Sequence, residues 1–201
     1  MITKNATTSF LINELISKRW SSRLFDPTKD VERVKIYSIC EAARWAPSCF
    51  GDEPWRFIIL DKNHNPEDYN NGFSCLGEWN QKWVKNAPVL IIAISDTKFR
   101  KKRNENKWAG FDTGAACENI YLQAVSLNLI AHPMAGFDVD KARTGFNIPL
   151  DFIPMAMIAI GYQSDNMSLV EQEFQTSEQS ERTRRPIGEN FFDGQWGQGI
   201  L

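Results

Sequence analysis

The chain has 201 residues, 42% of them hydrophobic and 24% charged, which is the composition of a globular protein with one sizeable core. Its formal net charge of −2 argues against a general nucleic-acid binder, and its longest strongly apolar run, residues 88–94, is far shorter than the ~20 residues that cross a bilayer. The N-terminal sequence MITKNATTSF has no apolar signal core, so we expect a cytoplasmic protein.

The N-terminal part of the chain predicts two helices. Apolar residues at helical spacing within residues 10–16 predict a first helix that ends near Lys18, followed by an extended segment up to Phe25. Asp30 is the expected N-cap of a second helix. That helix should end near Ala46, because the proline that follows cannot continue the helical hydrogen bonds.

The middle of the chain predicts strands separated by polar connections. Residues 57–60 predict a short buried strand, and residues 61–78, which contain Asn, Gly and Pro, predict a loop. Residues 79–84 indicate a short helix. The clearest strand is residues 88–94, which are apolar throughout and therefore expected at the centre of a sheet with both faces covered. A charged loop follows at residues 98–107.

The C-terminal half begins with an Ala-rich helix at residues 109–129, which is apolar on almost all sides and therefore expected to be deeply buried. Asp138 is the expected N-cap of a short helix at residues 139–146. Residues 155–161 predict a second buried strand. Residues 163–201 lack strong periodicity but contain several aromatic side chains, so we expect them to cover a partner.

Two short segments indicate a bound ligand. Residues 18–23, KRWSSR, gather three cations and two hydroxyls, which suits a phosphate because a guanidinium can bond two phosphate oxygens at once. Residues 45–57, WAPSCFGDEPWRF, form a proline-bounded loop of small and polar residues that leads into a strand, which suits packing against a flat ring. Together they favour a phosphorylated aromatic cofactor.

Several other chemistries lose their main support. The four cysteines contain no C-x-x-C pair and are expected to be free thiols, and the two histidines provide no zinc-ligand spacing. The sequence also lacks G-x-S-x-G, Walker A and G-x-G-x-x-G motifs, which argues against hydrolase, P-loop and Rossmann interpretations.

With these motifs in order, the chain resembles the nitroreductase family of flavin enzymes from about Ser17 to Gly197. The matching segments are Arg19-x-Ser21-x-Arg23, Ala46-Pro-Ser48 with Pro54-Trp-Arg-Phe57, Asp112–Ala124, His132–Asp138, Ile148–Tyr162 and Arg182-x-Arg184-x-Pro186.

The resemblance implies an α+β, nitroreductase-like fold with a central, mostly antiparallel sheet flanked by helices. It implies a single domain over residues 1–201 in an intertwined homodimer, with the tail at about 163–201 wrapping the partner subunit. It also implies two flavin mononucleotide (FMN) sites at the subunit interface.

The resemblance further implies which residues bind FMN. The arginines and Ser21 would hold the phosphate and ribityl chain, the loop after Ala46 would line the ring edge, and residues 134–136 would pass the reactive N5. Without a ligand, the arginine segment would be a solvated basic helix end, the loop after Ala46 an ordinary helix C-terminal loop, and residues 134–136 a turn. The expected cofactor-binding residues are Arg19, Trp20, Ser21, Arg23, Pro47, Ser48, Cys49, Gly51, Met134, Ala135, Gly136, Arg182 and Arg184, with no catalytic side chain and no metal ligand.

The sequence departs from the common family pattern at three positions. Gly51 stands where many relatives have Asn, and Glu53 stands where Gln is usual. A carboxylate near the ring would disfavour reduced, anionic flavin unless it is paired, and Arg56 is the candidate partner. Ala135 replaces a Glu of some relatives, which would leave a backbone N–H to bond N5.

Two further features leave alternatives open. Trp79, Trp83 and Trp108 would form a substrate lid, or else belong to the core or a dimer contact. The cations at residues 98–103 would meet the phosphates of a nicotinamide nucleotide, or else form a solvated loop.

The expected function is an FMN-dependent oxidoreductase. It would pass hydride from NADPH or NADH to a small flat acceptor, such as a nitroaromatic, quinone or enone, in a ping-pong cycle in which the cofactor carries the chemistry. One alternative is a flavin-binding protein for storage or regulation without efficient turnover. Another is a reductase of narrow specificity whose acceptor is not nitroaromatic.

Overall fold

Four strands form one antiparallel sheet in the computed structural model, which describes residues 2–201. The strands are β1 (Trp55–Asp61), β2 (Val89–Asp96), β3 (Ile130–Met134) and β4 (Phe152–Gly161), in the order β1-β2-β4-β3. Every neighbouring pair is antiparallel. The expected α+β class with a central antiparallel sheet is therefore confirmed.

Helices cover both faces of this sheet, as the apolar run of β2 predicts. All eight residues of β2 are buried, and alternate side chains enter separate clusters: Leu90, Ile92 and Ile94 on one face, Val89, Ile91 and Ala93 on the other. The helices of the described chain are α1 (Glu14–Lys18), α2 (Arg33–Arg44), α3 (Pro66–Cys75), α4 (Glu78–Val84), α5 (Ala109–Ser126), α6 (Val139–Gly145) and α7 (Gln172–Gln179).

Capping decides where the predicted helices begin. The first helix does not include residues 10–12, because Asn13 caps it by accepting a hydrogen bond from the Leu15 amide at 2.9 Å. The second helix begins after Glu32, so the expected cap at Asp30 is wrong. Asp138 caps α6 as predicted, since its side chain accepts from the Lys141 amide at 2.8 Å.

Three elements escaped the sequence analysis. Helix α3 lies in the polar stretch expected to be a loop, and it buries only Tyr69, Gly72 and Cys75. Strand β3 is an edge strand, where a proline is tolerated because its missing N–H faces no ladder partner. Helix α7 buries a single hydrophobic side chain, Phe174, so its periodicity is weak.

Helix α5 is not buried on all sides, contrary to expectation. One face packs into the core through residues such as Ala116, Ile120 and Ala124. The opposite face is open: Phe111 is 77% exposed, and Gly114 and Glu118 are exposed as well. The Phe111 ring on this side is therefore not covered by any part of residues 2–201.

Trp83 belongs to the core and not to a lid. It is fully buried, with its ring centroid 6.1 Å from that of Phe25 and 4.4 Å from that of His132. Trp79 and Trp108 remain more than half exposed, and Trp79 packs edge-on against Phe174 at 4.9 Å.

A buried polar group, the Ser22 clamp (Ser22, His132 and Glu178), holds the extended segment after α1. The Glu178 carboxylate accepts hydrogen bonds from the Ser22 hydroxyl at 2.7 Å and from the Arg23 amide at 2.8 Å. The Ser22 carbonyl oxygen lies 3.1 Å from Nδ1 of His132. Because a carbonyl oxygen can only accept, Nδ1 carries the proton and Nε2 does not.

The clamp makes stability depend on pH. Burial lowers the pKa of His132 from 6.5 to about 4, and the charge of Arg23 is the second cause. The unfolded chain therefore binds more protons between these pH values, so stability is complete above pH 6.5 and declines as the pH falls toward 4.

We predict that the titration of His132 lowers the free energy of unfolding by roughly 3 kcal/mol as the pH falls from 6.5 to 4. His132→Asn, whose amide can still donate to the Ser22 carbonyl, should flatten that part of the profile in urea titrations. His64→Asn, at an exposed position, is the control and should keep the wild-type slope. Equal slopes in wild type and His132→Asn would contradict the assignment.

Candidate functional site

A cleft of about 950 Å³ lies between an N-terminal segment, residues 6–12, and a C-terminal strap, residues 182–191. Helix α1 ends at this cleft, and the extended segment that follows presents alternate side chains to it. Five polar residues that suit an anion line the cleft: Arg19, Ser21, Arg182, Arg184 and Arg185.

The arginines of the cleft differ in how many of their N–H donors are used within the chain. Arg182 donates from Nη1 to the carbonyl oxygens of Lys4 and Ser17, both at 2.6 Å, and thereby fastens the strap to the end of α1. Among residues 2–201, the Arg19 side chain makes one long contact, 3.4 Å from Nη1 to the Ser21 Oγ, and the Arg184 side chain bonds only the carbonyl oxygen of Thr183. Arg19 and Arg184 therefore keep most of their five N–H donors free for a ligand.

Like charges converge on the cleft. Partial burial lowers the pKa of Arg182, and the nearby Arg19 and Arg184 lower it further. Within the described chain, Glu118 is the one carboxylate that lines this space. Partial burial raises the pKa of Glu118, while the positive charge of Arg19 opposes that change. A surplus of positive charge in a partly dehydrated cleft favours an anionic ligand.

The floor of the cleft comes from residues that the sequence analysis did not single out. Glu118 and Tyr121 lie three residues apart on α5, so they share one face of that helix, and Pro133 lies beside them on β3. Burial raises the pKa of the Tyr121 hydroxyl, which therefore stays protonated and can donate. In the sequence, only the spacing of three residues between Glu118 and Tyr121 indicated that both side chains lie on one face of this helix.

Two of the four expected cofactor-binding residues in the KRWSSR motif, Arg23 and Trp20, do not line the cleft. Arg23 is half-buried: its Nη1 donates to the Ser177 hydroxyl at 3.1 Å, and its guanidinium lies 5.8 Å and 5.6 Å from the ring centroids of Trp83 and Phe174. Burial lowers the pKa of Arg23. Trp20 points to the other side of the segment, where the Lys4 ammonium lies 4.5 Å from its ring centroid. Within residues 18–23, Arg19 and Ser21 are the two residues that line the cleft.

The proline-bounded loop, residues 46–53, has an unusual backbone held by two side chains. Asp112 accepts a hydrogen bond from the Cys49 amide at 3.0 Å, and the Ser48 hydroxyl accepts one from the Glu53 amide at 3.1 Å. Phe50, Gly51 and Glu53 have φ values of 56°, 63° and 52°, in the left-handed region that favours glycine. This conformation leaves Phe50 94% exposed and Pro47 on the surface.

Arg56 does not neutralise the Glu53 carboxylate, contrary to expectation. Its Nη1 donates to the carbonyl oxygens of Glu53 at 3.0 Å and of Trp55 at 2.7 Å. Arg56 therefore closes the loop through the backbone, while the Glu53 side chain remains exposed.

Residues 134–136 divide between core and surface. Met134 is buried in the core, whereas Ala135 and Gly136 are exposed. The Gly136 carbonyl oxygen accepts hydrogen bonds from the Gly77 amide and the Asn80 side chain, both at 3.0 Å. A Cβ on Gly136 would lie 2.9 Å from Nδ2 of Asn80, so a side chain at this position would displace the Asn80 amide.

The site residues thus form two groups on different sides of α5. The loop at 46–53 is bonded to Asp112, whereas the cleft reaches Tyr121. Nine residues along an α-helix correspond to roughly 180° of rotation and about 13 Å of rise, so the two groups face apart within one chain.

Two absences complete the description of residues 2–201. None of the helices in this range is long and apolar enough to cross a membrane. No group of three or more His, Cys, Asp or Glu side chains in the same range could hold a metal ion. The four cysteines are free thiols, as expected.

Comparisons with known proteins identify the family. The chain is 32% identical to a Methanothermobacter thermautotrophicus protein described as an NADH dehydrogenase/NAD(P)H nitroreductase, over 76% of this chain and 78% of that protein. It is 26% identical to an NAD(P)H nitroreductase of Staphylococcus haemolyticus, over 73% and 86%.

A crystal structure described as an oxidoreductase containing FMN superimposes with a TM-score of 0.88 and 32% identity, covering 98% of both chains. The family model named Nitroreductase family matches residues 16–76 and 65–162. With the antiparallel sheet, the arginine-lined cleft and these matches together, the chain belongs to the nitroreductase family.

Proposed function

We propose that the protein is an FMN-dependent oxidoreductase that takes reducing equivalents from NADPH or NADH. The observation that carries the proposal is the set of free guanidinium donors of Arg19 and Arg184 around one cleft, in a chain whose fold matches an FMN-containing oxidoreductase over its whole length. The acceptor would be a small flat molecule such as a nitroaromatic, a quinone or an enone.

The residues of the cleft fit the FMN phosphate. Arg19, Arg184 and Arg185 can donate to its oxygens, with the Ser21 hydroxyl beside them, while Arg182 holds the strap in place through carbonyl bonds. The positive charge of Arg19 partly offsets the negative charge of Glu118, the one carboxylate in the described cleft lining. When bound, FMN supplies the chemistry by accepting hydride from the nicotinamide and passing it to the second substrate in a ping-pong cycle.

The chain's own part is to bind, orient and exclude water. The backbone of loop 46–53 would line the ring edge, where its left-handed residues bring main-chain atoms to the surface. Ala135 and Gly136 would pass near N5 through their backbone, since neither has a side chain that donates. No side chain is assigned the role of an acid or base.

Because loop 46–53 and the cleft face apart, we propose that a second copy of the chain completes each site in a homodimer. The open face of α5, with Phe111 77% exposed, supplies the apolar surface that a subunit contact needs. Val170 and Phe174 pack into the core of their own chain, and Arg182 holds the strap on its own α1, so we propose that only about residues 192–201 of the tail wrap the partner.

A flavin-binding protein without turnover is the second candidate. The observation in its favour is Glu53, whose exposed carboxylate is not paired by Arg56 and would disfavour a reduced, anionic ring if it faced one.

The purified protein should be yellow and should bleach when NADPH or NADH is added without oxygen, because a bound flavin that accepts hydride loses its visible absorption. Visible spectra before and after each nucleotide provide the measurement. Yellow protein that stays yellow would favour the storage or regulatory alternative. Protein that stays colourless after incubation with FMN would refute the proposal.

Arg19→Ala combined with Arg184→Ala should weaken FMN binding at least about a hundredfold, because two charge-assisted hydrogen bonds to the phosphate are lost. Fluorescence titration of the apoprotein with FMN measures this. Arg44→Ala with Lys85→Ala, which removes two exposed cations outside the cleft, should bind as the wild type does. Undiminished affinity in the cleft variant would show that the phosphate lies elsewhere.

Complementation tests the shared site. One chain carries Arg19→Ala and Arg184→Ala, and the other carries Ser48→Trp in the loop. Each variant alone should be almost empty of FMN. After the two are refolded together, about a quarter of the sites should be restored, because half of the dimers are mixed and each has one intact site. A site built within one chain would show no restoration.

A further inference from the structure

The basic loop, residues 98–103, is rigid at its base. The Phe99 amide donates to the Asn104 carbonyl oxygen at 2.9 Å, and the Arg103 amide donates to the Phe99 carbonyl oxygen at 2.8 Å. Lys98 pairs with Asp151 at 2.7 Å, and Arg103 pairs with Asp96 at 2.7 Å and with Asp151 at 3.1 Å. Two of its five cations are thus neutralised and hold the loop on β2 and the start of β4.

The other three cations stand at the tip without a partner. Arg100, Lys101 and Lys102 form no ion pair and no side-chain hydrogen bond with any residue from 2 to 201. The Arg100 amide donates to both carboxylate oxygens of Asp52, at 3.0 Å and 3.2 Å, which fixes the tip against loop 46–53. Consecutive like charges repel one another, so a bound anion would reduce the electrostatic repulsion at this tip.

The tip and loop 46–53 enclose a second cavity of about 380 Å³. The rings of Phe50 and Phe99 lie at its wall, with centroids 6.1 Å apart and planes at 58°. Asp52 is the one carboxylate among its described lining residues, and it accepts the hydrogen bond of the Arg100 amide. The cavity therefore combines aromatic surface with three cations that have no ion-pair partner among residues 2–201, against the single carboxylate of Asp52.

We infer that this cavity binds the adenosine end of the electron donor, with its 2′-phosphate on Arg100, Lys101 and Lys102, and that the protein therefore prefers NADPH to NADH. A phosphate monoester carries close to two negative charges at neutral pH, which suits a cluster of three cations. Adenine would lie against Phe99 and Phe50, because a flat base stacks on aromatic surface. The inference rests on the proposed function, since loop 46–53 is the segment that would line the flavin ring.

Preorganisation distinguishes this cluster from an ordinary solvated face. The ion pairs of Lys98 and Arg103 and the Asp52 contact fix the loop before any ligand arrives, so binding orders only three side chains. The nicotinamide end of the same molecule would extend from here toward the ring edge at Ser48 and Cys49.

The test compares Arg100→Gln/Lys101→Gln/Lys102→Gln with a charge-matched control, Lys29→Gln/Lys62→Gln/Lys85→Gln. The control lysines are exposed near the opposite end of the sheet. Anaerobic stopped-flow reduction of the FMN-loaded protein gives the second-order rate constants for NADPH and NADH. Calorimetric titration with adenosine 2′,5′-bisphosphate and with AMP gives a readout that needs no turnover.

The wild type should prefer NADPH by at least about tenfold, and the loop variant should lose at least about tenfold in the NADPH rate constant while the NADH value changes less than about threefold. The bisphosphate should bind the loop variant at least about tenfold more weakly than the wild type, with AMP binding almost unchanged. The control variant should match the wild type in all four measurements.

Equal use of both nucleotides by the wild type would overturn the inference, as would an equal loss for both in the loop variant, which would place the pyrophosphate there instead. Bisphosphate binding unchanged in the loop variant would also overturn it. Failure of the proposed function has a different signature: neither nucleotide bleaches the protein. In that case the bisphosphate titration alone still decides whether the loop binds a 2′-phosphate.

Discussion

One buried carboxylate sets the geometry on which the cleft depends. Glu178 is 1% exposed, and a charge so deep is tolerated only when hydrogen bonds replace its water. The Ser22 hydroxyl and the Arg23 amide supply those bonds, so α7 and the segment after α1 are held together. The strap that carries Arg182 and Arg184 continues from α7, which places its cations opposite Arg19.

The same residue type performs opposite tasks in this protein, and its partners decide which. Arg182 donates hydrogen bonds to backbone carbonyl oxygens and Arg103 donates to a carboxylate, so both side chains hold parts of the chain together. Arg19, Arg184 and Arg100 keep free side-chain donors next to these two anchored side chains. Each free cation therefore sits on backbone that an anchored cation has made rigid, and a ligand phosphate would meet donors already in place.

Helix α5 divides the molecule's functional surface. Its inner face completes the core, Asp112 near its start holds the loop at Cys49, and Tyr121 near its end forms the floor of the cleft. These two positions face apart on the helix, so loop 46–53 and the cleft lie on different sides of one chain.

The sequence by itself determined the central strand β2, the cap at Asp138 and the arginines that line the cleft, because each rests on local periodicity or on a short motif, and it determined the α+β class through the family resemblance that those motifs carry. It did not reveal α3, β3 or α7, whose few buried residues become apolar contacts only after the chain has closed. Only the tertiary structure separated Arg23, drawn inward by Ser177 and the Trp83 ring, from Arg19. Only folding could decide this, because burial and hydrogen-bond partners come from residues far away in the sequence.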